Sequence, residues 1–158
     1  MNYKISVSCI VETNSNAFVL IKEEQNGIIA LDIPAGGIDE GETLEEAVIR
    51  EVLEEANISI TNPSLIRSFI FVEKNKTTAN YLFYVKGDYD NSTEIQTKKI
   101  QIDDEDILAI EFLDKNAIEQ LVKNHEYEHA LAKARLAVII ESSFEPQLEL
   151  VNIKSNEK

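Results

Sequence analysis

The chain has 158 residues, of which 44% are hydrophobic, so it is long enough for a single domain with a real core. Its 15 basic and 29 acidic residues give a formal net charge of −14 at pH 7, which argues against binding to nucleic acid or to an anionic membrane surface. The single cysteine, Cys9, excludes an intrachain disulfide and a multi-cysteine zinc site. Without a signal-peptide pattern or an apolar run of membrane-spanning length, we expect a cytoplasmic protein.

The first third of the chain predicts short strands separated by turns. Residues 3–12 form a strand in which alternate residues share one face, namely Ile5, Val7, Cys9 and Val11. Ala17–Lys22 is its partner, and Ile28–Ile33 is a further apolar strand. The Pro-Ala-Gly-Gly segment 34–37 must bend sharply, and its small residues allow the backbone to come close to a ligand.

A helix from about Leu44 to Ala56 follows, and its sequence marks both ends. Thr43 and the glutamate three residues later form a capping box, and Asn57 suits the left-handed conformation that often ends a helix. The helix carries three carboxylates close together, Glu51, Glu54 and Glu55. Because such carboxylates repel each other, the spacing indicates a hard cation such as Mg²⁺ between them.

The second half of the chain predicts a hairpin, a polar loop, another strand and two helices. The predicted segments are the strands Leu65–Val72 and Asn80–Lys86, the loop 87–99, the acidic loop 103–106, the strand Leu108–Leu113, the helices Lys115–Lys123 and Glu126–Ser142, and a loose tail over 150–158. Arg67, within the first hairpin strand, either contacts a phosphate or lies along the surface. This order of elements indicates an α/β sandwich with a mixed sheet and helices on both faces.

The segment from Gly36 to Ile58 resembles the Nudix box of the MutT-like Nudix hydrolases. The pattern is Gly, five residues, Glu, seven residues, Arg-Glu, an aliphatic residue, any residue, Glu-Glu, any residue, Gly and an aliphatic residue. The matching positions are Gly36, Glu42, Arg50, Glu51, Val52, Glu54, Glu55 and Ile58, with Asn57 in place of the last glycine. The resemblance implies a three-layer α/β/α sandwich with a mixed sheet. We expect one such domain over 1–145 and a C-terminal tail over 146–158.

The resemblance also implies roles for particular residues. Mg²⁺, or Mn²⁺ as a substitute, would be held by Glu51, Glu55 and the carbonyl of Ala35, with Glu54 bound through water or a second ion. Arg50 and Glu42 would be structural, and Gly36, Gly37 and Arg67 would contact the substrate. The general base would be a box glutamate, Glu54 or Glu55, or an acidic residue of the loop 103–106, where Glu105 is the first choice.

These roles predict hydrolysis of a phosphoanhydride bond in a small phosphorylated substrate by a metal-activated water. The Pro34-Ala35-Gly36 turn is similar to turns in ADP-sugar pyrophosphatases and in a bacterial Nudix phosphatase branch that acts on nucleoside di- and triphosphates and on thiamine pyrophosphate. The short chain favours the second group. An ADP-ribose or ADP-sugar pyrophosphatase, a non-catalytic nucleotide sensor and an mRNA-decapping type of enzyme are the alternatives, and both a monomer and a homodimer remain open.

Overall fold

The computed structural model describes residues 2–25, 27–89, 101–102, 105–124, 129–147 and 149–155. Within this part of the chain there are nine strands and three helices. The strands are β1 (Asn2–Thr13), β2 (Ala17–Gln25), β3 (Ile28–Asp32), β4 (Ala35–Gly37), β5 (Ser64–Glu73), β6 (Lys76–Gly87), β7 (Gln101–Ile102), β8 (Glu105–Asp114) and β9 (Leu150–Lys154). The helices are α1 (Leu44–Ala56), α2 (Lys115–Asn124) and α3 (Ala130–Glu141).

All described strands belong to one mixed sheet, in the order β7-β8-β2-β1-β6-β5-β9, with β3 beside β2 and β4 beside β1. The β1/β6 and β5/β9 pairs are parallel and the others are antiparallel. The central strand β1 alternates its side chains between two cores, as its sequence predicts. The residues Val7, Cys9 and Val11 pack with α1, whereas Ile10 packs with α2 and α3 on the opposite face. The predicted α/β/α sandwich is therefore confirmed.

Helix α1 has the bounds that its capping residues predict. Thr43 accepts a hydrogen bond from the backbone amide of Glu46, whose side chain accepts one from the amide of Thr43 in return. At the other end Asn57 has φ 54° and ψ 34°, and its amide donates to the carbonyl of Leu53. The asparagine that departs from the box pattern thus adopts the left-handed conformation for which glycine is the usual choice.

The predicted hairpin is β5 and β6, and its aromatic residues are divided between the two faces. Phe83 is buried in the core beneath α1, with Tyr81 packed beside it. Leu82 is buried in the other core, with Tyr84 packed against it. These side chains therefore serve mainly as core, which the alternation along the strand predicts.

Three sequence predictions were wrong. The glycine-rich segment 34–37 is not only a bend, because Ala35–Gly37 pairs with β1 as β4. The acidic run is not all loop, since Glu105 and Asp106 begin β8, while residues 103–104 lie outside the described part of the chain. The tail is not loose over Leu150–Lys154, which pairs in parallel with β5 as β9. We therefore propose that the domain extends at least to Lys154. The polar loop predicted over 87–99 lies outside the described residues from position 90 onwards.

No helix in the described part of the chain is long and apolar enough to cross a membrane. Cys9 is fully buried, and burial raises the pKa of its thiol. A thiol that stays protonated is a poor nucleophile, so Cys9 is a core residue.

Candidate active site

Helix α1 divides the clustered carboxylates of Glu51, Glu54 and Glu55 between the protein interior and solvent. Glu51 and Glu55, one turn apart, are only 8% and 6% exposed, whereas the side chain of Glu54 is 43% exposed. Both buried residues lie on the side of α1 that carries the apolar residues Ala47, Val48 and Val52. The helical period therefore places two carboxylates at the edge of the core, where water cannot solvate them fully.

The glycine-rich strand β4 lies directly against these carboxylates. A methyl group on Gly36 would sit 2.1 Å from the carboxyl carbon of Glu51, closer than any side chain can approach. The backbone at this point is held by pairing with β1, where Gly36 is opposite Val7. Only glycine therefore allows the strand and the Glu51 carboxylate to occupy these positions. A methyl group placed on Gly37 would have no neighbour closer than 3.6 Å, so the need for glycine is specific to Gly36.

The backbone of Ala35 contacts the second buried carboxylate. Its amide donates to Oε1 of Glu55 at 3.2 Å. The preceding carbonyl, of Pro34, accepts from the amide of Cys9 at 3.0 Å, which fixes the start of β4 on β1. Ala35 thus lies beside the carboxylates, as predicted, although the contact that the structure records is made by its amide and not by its carbonyl.

Arg50 connects the loop before α1 to the helix itself. Its Nε and Nη2 bind both oxygens of Glu42 at 2.6 and 2.9 Å, and Nη2 also donates to the carbonyl of Gly37 at 2.9 Å. Its Nη1 donates to Glu51 at 2.8 Å and to Glu54 at 3.3 Å. The bidentate pair with Arg50 lowers the pKa of Glu42 to about 2. Arg50 therefore orients Glu51 while it holds the 37–42 loop against α1.

The two buried carboxyls favour protonation as they stand. Burial, followed by the charges of Glu23 and Glu51, raises the pKa of Glu55 to about 10. Burial also raises the pKa of Glu51, although Arg50 opposes this shift. Among the described residues, no hydrogen-bond partner reaches Oε2 of Glu55. A cation bound to this buried oxygen would supply the missing partner.

The site fits a hard divalent cation in charge and in donor type, because both buried groups are carboxylates. However, no three His, Cys, Asp or Glu side chains within the described ranges are grouped so as to hold a metal ion. A cation at Glu51 and Glu55 would therefore need a backbone carbonyl, water or a substrate oxygen to complete its ligands. Mg²⁺ commonly keeps such ligands and rarely occupies a cage of protein side chains alone.

A family model described as NUDIX domain matches residues 2–135. The chain belongs to this family. The phosphatase NudJ of Escherichia coli strain K12 is 32% identical over 83 residues, which are 52% of this chain and 54% of that protein. The chain thus spans about half the length of the curated relatives it matches.

Solved structures show the same fold at lower identity. A NUDIX hydrolase from Nitrosomonas europaea matches with a TM-score of 0.70 and 19% identity, over 93% of this chain and 94% of that one. The NUDIX domain of Shewanella oneidensis NrtR, in a complex with ADP ribose, matches with a TM-score of 0.61 and 15% identity, over 76% of this chain and 78% of that one. Identities this low establish the fold of this NUDIX domain and not its substrate.

One acidic residue of this NUDIX domain near the site was missed from the sequence. Glu23 lies in β2, where the pairing with β8 shifts register between Lys22 and Glu23, and its charge contributes to the raised pKa of Glu55. The sequence contains only a weak signal, since Glu23 belongs to the polar end, Lys22–Gln25, of a strand that begins with five apolar residues. Only the folded sheet brings this strand next to α1, so the sequence alone could not place Glu23 near Glu55.

Glu105 lies at the start of β8, and its side chain is outside the described part of the structure. Two residues further on, Ile107 pairs with Glu23 of β2. The backbone of Glu105 is therefore at the end of the sheet where Glu23 also lies. Its role as the general base stays a prediction.

Arg67 is not at the carboxylate site, and its predicted contact with substrate was wrong. The residue is 5% exposed, and its guanidinium donates to the carbonyls of Ile66, Ser143 and Glu145 at 2.7 Å each. A further bond at 2.8 Å goes to the hydroxyl of Ser143. These contacts tie β5 to the segment after α3. The sequence could not reveal this because the partner residues are more than 70 positions away.

Proposed function

We propose that this NUDIX domain hydrolyses a phosphoanhydride bond in a nucleoside di- or triphosphate, or in a related molecule with a linked diphosphate, and that the reaction depends on Mg²⁺. The observation that carries the proposal is the buried pair Glu51 and Glu55, with an oxygen of Glu55 that has no described partner. Mn²⁺ has the same preference for oxygen ligands and is expected to substitute.

The carboxylates of α1 and the glycine-rich segment before it have distinct parts in this proposal. Glu51 and Glu55 would hold the cation together with the carbonyl of Ala35, and Glu54 would reach it through water or bind a second ion. Held there, a cation would supply positive charge to neutralise a diphosphate and would make a water molecule more acidic. Gly36 and Gly37 leave the backbone open to the substrate, and Glu54, Glu55 or Glu105 would accept the proton from the attacking water.

An acidic protein needs a cation to accept such a substrate. The net charge of −14 repels a diphosphate, and Arg50 already has carboxylate partners on all its nitrogens. Divalent ions between the carboxylates and the phosphates reverse this repulsion locally. The same charge argues against a nucleic-acid substrate and hence against decapping.

A second candidate is an ADP-ribose or ADP-sugar pyrophosphatase, or a module that senses such a nucleotide without cleaving it. It is favoured by the structural likeness to the NrtR domain, whose complex contains ADP ribose. The intact carboxylates of α1 favour hydrolysis over sensing.

For the protein as a whole we propose a cytoplasmic location, since its cysteine is a free thiol. We also propose that the protein acts as a monomer or as a homodimer.

The function is tested by measuring phosphate and pyrophosphate release with and without millimolar Mg²⁺. The panel contains nucleoside di- and triphosphates, ADP-ribose, dinucleoside polyphosphates and thiamine pyrophosphate. Metal-dependent turnover of one compound would support hydrolysis and identify the substrate class. Binding without turnover across the panel would support the sensor.

The variant Glu55→Gln should lose activity by roughly 10²-fold or more while it still folds, because the amide cannot supply a negative ligand. Glu45→Gln is the matched control, since Glu45 is an exposed glutamate in the first turn of the same helix. If Glu55→Gln retained full Mg²⁺-dependent activity, the assignment of the site would be wrong.

A further inference from the structure

A buried ion pair joins α3 to the strand segment that precedes the carboxylate site. Arg135 of α3 is 5% exposed, and its Nη2 donates to Oδ2 of Asp32, the last residue of β3. The side chain of Asp32 is itself only 19% exposed. Within the described residues, the Nε of Arg135 has no hydrogen-bond partner. Asp32 is therefore the carboxylate that neutralises this guanidinium.

Arg135 lies on the face of the sheet opposite to α1. The neighbours of Arg135 on α3, Leu136 and Ile139, are in the core with Ile10 and Ile33. The box helix packs in the other core, with Val7 and Cys9. Arg135 therefore cannot touch the carboxylates of α1 directly, and any effect on them has to pass through the sheet.

A short stretch of backbone, held by several hydrogen bonds, connects Asp32 to that site. The second oxygen of Asp32, Oδ1, accepts from the amide of Ile33 at 2.7 Å. Pro34 follows, with a ring-locked φ and a carbonyl bonded to Cys9. The next amide, of Ala35, donates to Glu55, and Gly36 lies against Glu51. Ala35, whose amide contacts Glu55, thus comes only three positions after Asp32, the carboxylate held by Arg135.

We propose that Asp32 and Arg135 are positioning residues that hold the 33–36 backbone in register against Glu51 and Glu55. The inference rests on the proposed function, because it assigns the pair to the same carboxylate site. A buried ion pair contributes little net stability once desolvation is counted, so its main effect is expected on the position of the segments that it joins. Helix α3 then sets the geometry of a site on the other face of the sheet.

The test compares Arg135→Met, Arg135→Lys and the double variant Asp32→Asn/Arg135→Met with Arg67→Met. Arg67 is the matched control, since it is equally buried and also ties the sheet to the α3 region, but its contacts lead away from the site. The double variant removes both charges together, which keeps the test available if an unpaired Asp32 prevents folding. The readouts are kcat and KM on the best panel substrate, the Kd for Mn²⁺ by electron paramagnetic resonance, and hydrogen exchange at the Ala35 amide by NMR.

For Arg135→Met and the double variant we expect kcat to fall and Mn²⁺ binding to weaken, each by roughly 10- to 100-fold, with little change in KM. The Ala35 amide should exchange faster, and Arg135→Lys should recover part of each loss because it retains the charge. Arg67→Met should lose stability but keep kcat, the Mn²⁺ affinity and the protection of Ala35.

Wild-type values of kcat, Kd and exchange in the double variant would overturn the proposal, as would equal losses in Arg67→Met. If the wild-type protein neither bound Mn²⁺ nor turned over any substrate, the proposed function would fail. Exchange at the Ala35 amide would still decide whether Arg135 holds this segment, with faster exchange in the double variant supporting the pair and unchanged exchange refuting it.

Discussion

A methyl group on Gly36 would lie 2.1 Å from the carboxyl carbon of Glu51, so either β4 or the carboxylate would have to move. We expect Gly36→Ala to cost about 1–3 kcal/mol of unfolding free energy, as overpacking does, and to reduce activity by roughly 10²-fold through displacement of Glu51. Urea unfolding and initial rates on the best substrate measure both effects.

Gly37→Ala is the natural comparison, because its new methyl group meets only the end of the Lys4 side chain, at 3.6 Å. It should be far closer to wild type in the free energy of unfolding, a measurement in which a contact between Gly37 and substrate plays no part. Equal losses in the two variants would mean that the contact with Glu51 is not what requires a glycine at position 36.

Glu55 makes the metal-free protein sensitive to pH. Its pKa is raised to about 10 in the native state by burial and by the nearby charges of Glu23 and Glu51. In the unfolded chain the same carboxyl ionises near its ordinary value of 4.5. Between these values the native state binds a proton that the unfolded state has lost, so the free energy of unfolding falls as the pH rises through this window.

We therefore expect urea unfolding in EDTA to show decreasing stability from about pH 5 to about pH 9, with a smaller slope in Glu55→Gln, which has no proton to lose. Divalent cation binding should release protons and tighten as the pH rises, which calorimetry in buffers of different ionisation enthalpy detects. Glu45→Gln should keep the wild-type slope, and a slope in Glu55→Gln equal to that of wild type would assign the effect to another group.

At the scale of elements, the end of α1 shows why asparagine can stand where the box has glycine. Asn57 has φ 54°, a conformation that costs most side chains about 1–2 kcal/mol. Asn57→Ala should therefore lower the free energy of unfolding by about 1 kcal/mol, whereas Asn57→Gly should change it by only a few tenths. Chemical denaturation of both variants makes the comparison. An alanine variant as stable as the glycine variant would show that residue 57 does not adopt the left-handed conformation.

Elements with local signals were predicted well. Helix α1 begins and ends at Leu44 and Ala56, as predicted, because its capping box and its asparagine act within a few residues of the helix. The β5/β6 hairpin was predicted because a polar turn separates two apolar strands. The strand β4 was not, because three small residues have no pattern of their own and are extended only through pairing with β1.

At the scale of the whole molecule, β9 closes one side of the sheet. Ile153 packs against the core beneath α3, and five residues of β9 pair with β5. A chain that ends at Glu149 should lose about 2–4 kcal/mol of unfolding free energy, from the apolar surface of Ile153 and the lost pairing, and should expose β5 as an edge prone to association. Denaturation and light scattering measure the two effects.

A chain that ends at Ser155 retains all of β9 and serves as the control for this truncation. It should behave as the full chain does. If the shorter chain were equally stable and equally monodisperse, the segment after residue 149 would be a loose tail after all, as its polar end suggests from sequence alone.

The sequence by itself determined the box helix, the spacing of its carboxylates, the sandwich class and the family, because helix caps, the helical period and strand alternation act over a few residues. Only the tertiary structure decided that Glu51 and Glu55 are buried while Glu54 is exposed, that Glu23 lies near them, and that Arg67 belongs to the segment after α3. It also decided that Asp32 and Arg135 form a pair. These contacts join residues that are far apart in the chain, and burial and pairing between them exist only once the sheet has formed.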